Sequence, residues 1–146
     1  MKNYLSLLRS TSLFSGLADE ELCTLLSRLG AVQRTFGKGE ALVLAGEPNH
    51  RVGILLTGEL EAYRPAPGGG RIPITRMGPG DVFGDVLSGS SLASPVTVLA
   101  ACPCEVLLVP YERLLLSDGS PAHQQVVQNL VRTISDKYFS LSRRID

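Results

Sequence analysis

The chain has 146 residues, 44% of them hydrophobic, with 14 basic and 14 acidic side chains and a formal net charge of +0. Such a length builds one domain able to bury roughly two-thirds of its unfolded surface. Balanced charge leaves no electrostatic footprint for nucleic acid, and no apolar run reaches the ~18 residues of a membrane span. The opening MKNYLSLLRSTSLF is too polar for a secretory signal, so the expectation is a cytoplasmic protein with no membrane partner.

In chain order, NYLSLLRS reads as a short helix with Leu5 and Leu8 turned inward. A second helix is expected over about 19–29, where Leu22, Leu25, Leu26 and Leu29 repeat at helical spacing. Asp19, Glu20 and Glu21 suit the exposed N–H groups of its first turn, and Gly30 supplies the stop. From Ala31 the period changes, and short apolar runs follow at 41–45, 52–56, 60–63, 72–77, 96–101 and 105–109. Glycine- and proline-bearing turns separate them, with PAPGGG at 65–70 the loosest. Many short strands at this spacing predict a mainly β fold with flanking helices, an antiparallel jelly-roll barrel.

After Pro110, YERLLLSD forms a short helix, and a longer one runs from Pro121 towards Arg144. Its apolar positions, Val126, Val127, Leu130, Val131, Ile134, Tyr138, Leu141 and Ile145, recur every three or four residues over about six turns. That is more than a small barrel needs as cover. The chain therefore divides into 1–120, helical lead-in and β-rich body, and 121–146, the long C-terminal helix.

Catalytic and metal chemistry find little support. His50 and His123 are the two histidines, and no HxH or HExxH spacing exists. Cys23, Cys102 and Cys104 do not suggest a disulfide scaffold and read as small hydrophobes. No metal is expected, no spacing recommends an axial haem ligand, and an enzyme is not expected.

The most informative stretch is FGDVLSGSSLASPVTVLA at 83–100. Gly84 lets the backbone approach a guest closely, and the small-residue loop after it can aim several N–H groups into a concavity. A surface turn between two strands is the plain alternative. This stretch belongs to a wider pattern: LFSGLADEELCTLLSRL (13–29), FGKGEALVLAGE (36–47), ILLTGELEAYR (54–64), GPGDVFGD (78–85), SPVTVLA (94–100) and CEVLLVPYERLL (104–115). In that order they resemble the cyclic-nucleotide-binding-like sensor domain of the Crp/Fnr transcriptional regulators.

The resemblance implies a small-molecule effector bound near Gly84, Asp85, Ser88, Ser90, Ser91 and Ser94, with Tyr63 and Tyr138 closing the pocket. In nucleotide-binding members a Glu after the FG pair holds the ribose, and an Arg–Ser or Arg–Thr pair holds the cyclic phosphate. Here Asp85 stands in place of the Glu, and Ser94 and Pro95 in place of the Arg pair. A hydroxyl cannot replace a bidentate guanidinium, and proline offers no N–H. The expected reading is an inherited pocket whose cyclic-nucleotide ligand has been lost. The family's oxygen sensors carry an N-terminal cysteine cluster that this chain lacks. The resemblance further implies a homodimer through the helix 121–146, an allosteric rather than catalytic mechanism, and DNA contact only through a helix-turn-helix domain not present in this chain. The alternative is a stand-alone module that regulates a protein partner.

Overall fold

The computed structural model describes residues 4–84, 96–116 and 119–132. Two short helices, α1 (Leu5–Ser10) and α2 (Asp19–Leu29), precede eight strands. The strands are β1 (Val32–Phe36), β2 (Ala41–Val43), β3 (Arg51–Thr57), β4 (Leu60–Pro65), β5 (Arg71–Met77), β6 (Val82–Phe83), β7 (Thr97–Ala100) and β8 (Cys104–Pro110). Helix α3 (Tyr111–Leu115) follows, and residues 121–132 are helical.

Local chemistry sets α2 at both ends. The Glu21 carboxylate accepts the Ala18 N–H at 3.0 Å, and three acidic residues occupy the first turn. Gly30 closes the helix in the left-handed region, φ +70, where its N–H and that of Ala31 take up the last carbonyls. The four leucines of its inner face are all buried.

The strands form two four-stranded antiparallel sheets, β1-β8-β3-β6 and β2-β7-β4-β5. Among the described residues no ladder joins one sheet to the other, so each keeps free edges. The expectation of a closed jelly-roll barrel is therefore corrected: this is a mixed fold of helices and two open sheets. Alternating apolar residues disclose which face of a strand is buried, but not whether the outermost strands pair to close the sheet.

Three layers result. On β3, Val52, Ile54 and Leu56 face the helices, and on β8 so do Leu107 and Val109. Leu55 on β3, with Cys104, Val106 and Leu108 on β8, faces the second sheet. Both strands are thus buried on two sides, which is why VGILL and VLLV run without polar interruption. The second sheet buries one face only: Leu60 and Ala62 of β4 and Val98 and Ala100 of β7 point inward, while β5 is largely exposed.

The final helix divides its apolar stripe. Val126 and Leu130 join the core that contains Val52, Ile54 and Leu107, whereas Val131 is 56% exposed. Asn129, itself buried, donates to the carbonyls of Leu13 and Ser15 at 3.0 and 2.9 Å and so ties this helix to the start of the chain. His123 is buried with its Nε2 2.8 Å from the Leu114 carbonyl.

Between the sheets, Phe83 lies across Gly53, its partner in the β3–β6 ladder. A Cβ at position 53 would sit 2.2 Å from the ring's Cζ, so the strand carries glycine where the ring needs room. Gly53→Ala is expected to cost about 1–3 kcal/mol by overpacking. The same substitution on a Phe83→Leu background should cost clearly less. Urea unfolding of the two single variants and the double variant measures that coupling.

Candidate functional site

The site region begins at a tight turn. The Asp81 carboxylate accepts the Gly78 N–H at 2.8 Å, and Gly80 donates to the Leu55 carbonyl at 2.8 Å. Leu55 donates in return to the Asp81 carbonyl at 3.0 Å, which docks the turn on β3. This fixes the short strand β6 and delivers Phe83, 5% exposed, into the core between the sheets.

Gly84 follows directly with φ +64, a region that favours glycine. A Cβ there would lie 2.5 Å from the Asn49 Nδ2 and 2.7 Å from the Arg51 carbonyl. The close approach at Gly84 is therefore made to the start of β3. Asn49 holds its place by donating to that same Arg51 carbonyl at 2.8 Å. The chain leaves the first sheet here and re-enters at Val96, beside β7, a central strand of the second sheet. Asp85, Ser88, Ser90, Ser91, Ser94 and Tyr138 lie outside the described residues.

Tyr63 sits opposite Thr97 in the β4–β7 ladder. Because Leu60 and Ala62 point into the core, Glu61 and Tyr63 occupy the outer face of the second sheet. There the Tyr63 hydroxyl donates to the Glu61 carboxylate, and the Arg71 guanidinium lies over the ring, 5.2 Å from its centroid. A cleft of about 310 Å³ opens beside it, lined by Leu44, Tyr63, Arg64, Pro65, Arg71, Thr97 and Leu99. Arg51, Arg64, Arg71 and Arg76 are all exposed, as expected of a solvated face, and Arg76 pairs with Glu59 and Glu61 at 3.2 and 3.0 Å.

Sequence reasoning missed Asn49, which supports Gly84, and the Gly53–Phe83 contact that precedes it. A glycine inside the apolar run VGILL was the available signal, since mid-strand glycine marks a close approach. Among the described residues, no three His, Cys, Asp or Glu side chains group as metal ligands, and no helix is long and apolar enough to cross a membrane.

Two open sheets clasped by helices from both ends of the chain define the class of fold. Comparison with known proteins makes the class specific: the cyclic nucleotide-binding domain model matches residues 33–115, and the chain belongs to that family. The CRP-like cAMP-activated global transcriptional regulator of Mycobacterium tuberculosis is 27% identical over 129 residues, 88% of this chain and 56% of that protein. The chain thus spans about half the length of the curated relatives it matches. In structure it is similar to the catabolite activator protein of Thermus thermophilus, with TM-score 0.80, 22% identity, and 93% of this chain covering 62% of that one. The sensor domain of the regulator DNR from Pseudomonas aeruginosa gives TM-score 0.71 at 21% identity, over 99% of this chain and 89% of that one. The resemblance to the Crp/Fnr sensor domain is borne out.

The hydrogen bond to Glu61 raises the Tyr63 phenol above its ordinary value of 10.0, with desolvation acting the same way and Arg71 opposing. A raised folded-state value means that the contact contributes fully below about pH 10 and is lost as pH rises through the raised value. Spectrophotometric titration should show the steps of two described tyrosines moved upward, Tyr63 and Tyr4, the latter through its hydroxyl's hydrogen bond to Glu105. Tyr63→Phe should remove one of the two and Glu61→Gln return it towards the ordinary value, with the Tyr4 step unmoved.

Proposed function

We propose that this chain is the effector-sensing domain of a Crp/Fnr-type transcription regulator whose effector is not a cyclic nucleotide. The family match over residues 33–115 carries the reading; the resemblance adds that Ser94 and Pro95 stand where the family's motif has the phosphate-binding Arg pair. Asp85, Ser88, Ser90, Ser91 and Ser94 form a polar, guanidinium-free set that suits an uncharged or hydroxylated small molecule better than a phosphate. Gly84 supplies the bend from which this segment departs.

The domain binds; it does not catalyse. Effector binding resets the helix that begins at 121, through which two copies of the chain associate, and DNA is contacted by a domain outside this chain. For such coupling the effector must bind one helix arrangement more tightly than the other. Continuity of packing supports a route. Phe83 rests on Gly53 of β3, and the opposite face of β3 packs in one core with Val126 and Leu130 of the final helix.

Calorimetric titration with cyclic AMP, and separately with cyclic GMP, tests the reading. No saturable heat is expected at micromolar nucleotide with the native chain. The double substitution Ser94→Arg with Pro95→Ser should bring saturable binding into that range. Micromolar binding by the native chain would mean that another group replaces the guanidinium and that the domain is a cyclic-nucleotide sensor.

A further inference from the structure

We propose that Cys102 and Cys104 are a reversible dithiol–disulfide pair that reports peroxide. They flank Pro103 where the chain bends between β7 and β8. Two residues along a chain span at most about 7 Å between Cα atoms, and a bend shortens that into the range of about 4.4–6.8 Å that disulfides use. Proline fixes the middle of the bend. Both side chains point to the same place: Cys104 is a member of the core between the sheets, and Cys102 packs against that core. The Cys104 thiol lies 3.0 Å from the Cys102 carbonyl and 3.2 Å from the Glu59 carbonyl, its single S–H shared between them.

The two sulfurs are unequal, as a sensing pair requires. Cys102 is partly exposed and Cys104 is buried. Burial is also the main cause that pushes the Cys104 thiol up, with the neighbouring Cys102 adding to it. Peroxide in solution reaches the more exposed sulfur first, so Cys102 is the attacking group and the buried Cys104 the resolving one. The Cys102 thiolate attacks hydrogen peroxide: an S–O bond forms, the O–O bond breaks, and hydroxide leaves as water once protonated. The Cys104 sulfur then displaces hydroxide from the Cys102 sulfenic acid, forming the S–S bond and releasing a second water as its thiol proton departs. Two thiols and one peroxide thus give one disulfide and two waters, the sulfurs supplying both electrons.

Oxidation removes the thiol proton through which Cys104 reaches the Glu59 carbonyl. That carbonyl retains the Ala101 N–H at 2.9 Å, so the fold survives while the β3–β4 turn loses one tether. The turn is sensitive to such a change because Cys104 fills it completely: a Cβ on Gly58 would lie 2.6 Å from the Cys104 Sγ.

The whole chain is treated with hydrogen peroxide, its remaining thiols are alkylated, and intact mass and peptide maps are recorded. The expected product has lost two hydrogens in the peptide that holds 102–104, recovers both alkylation sites with dithiothreitol, and forms equally in Cys23→Ser. Cys102→Ser should stop the loss, and Cys104→Ala should leave Cys102 as a stable or over-oxidised acid. The native chain alone decides the matter. Sulfinic acid at Cys102 with Cys104 still alkylatable, a main product linked through Cys23, or an unchanged 102–104 peptide would each overturn the proposal.

Discussion

The structure depends on the antiparallel pair β3 and β8, apolar on both faces. Each strand sends alternate side chains in opposite directions, and here both directions are dry. Burial at about 25 cal/mol per Å² of apolar surface makes this pair the main source of cohesion, because it belongs to two cores at once. Helices α1 and α2 with the final helix close one side, and the second sheet closes the other. Removing the helices would expose Val52, Ile54, Leu56, Leu107 and Val109, and removing the second sheet would expose Leu55, Cys104, Val106 and Leu108, so helices and second sheet are held to the same spine.

That double burial shapes the region expected to hold the effector. Gly53 leaves a gap in β3 that Phe83 fills, and β6 ends at Phe83 with Gly84 directly after it. One residue further on, the candidate segment begins. That segment continues directly from β6, which among the described residues pairs with β3. On the opposite face of β3, Val52, Ile54 and Leu56 share a core with the final helix. A packed strand between effector segment and helix transmits displacement poorly as a continuous deformation and well as a choice between two arrangements. Such continuity of packing is a physical route; coupling itself is a difference in binding free energy.

Much of this was legible in the residues. Helix α2 is readable because its four leucines, acidic first turn and Gly30 agree with one another. The interior runs of β3 and β8 stand out for their lack of polar interruption. Strand β1, by contrast, is VQRTF with no buried side chain, held by its backbone ladder to β8 and by the Gln33 amide on Glu105. Periodicity cannot find a strand whose side chains carry no pattern. Closure was misjudged for a related reason, since edge pairing is a long-range backbone property. At the site, the sequence flagged Gly84 through its neighbours, but the need for glycine there comes from Asn49 and Arg51, distant in sequence. Tyr63 was expected to close a pocket, and its described contacts are with Glu61 and Arg71 on the outer sheet face.

The final helix is where fold and function meet. Its inward residues, His123, Val126, Asn129 and Leu130, are consumed by the domain itself, while Val131 is left at 56% exposure. A helix that packs with one edge and leaves apolar residues on another suits association with a second copy. Sedimentation equilibrium of the chain and of Val131→Glu tests this most directly. The account requires a mass twice the 15.6 kDa of one chain, reduced towards the monomer by the substitution while the urea midpoint barely changes. A native chain that stays monomeric at tens of micromolar, or a Val131→Glu variant that remains fully dimeric, would contradict it.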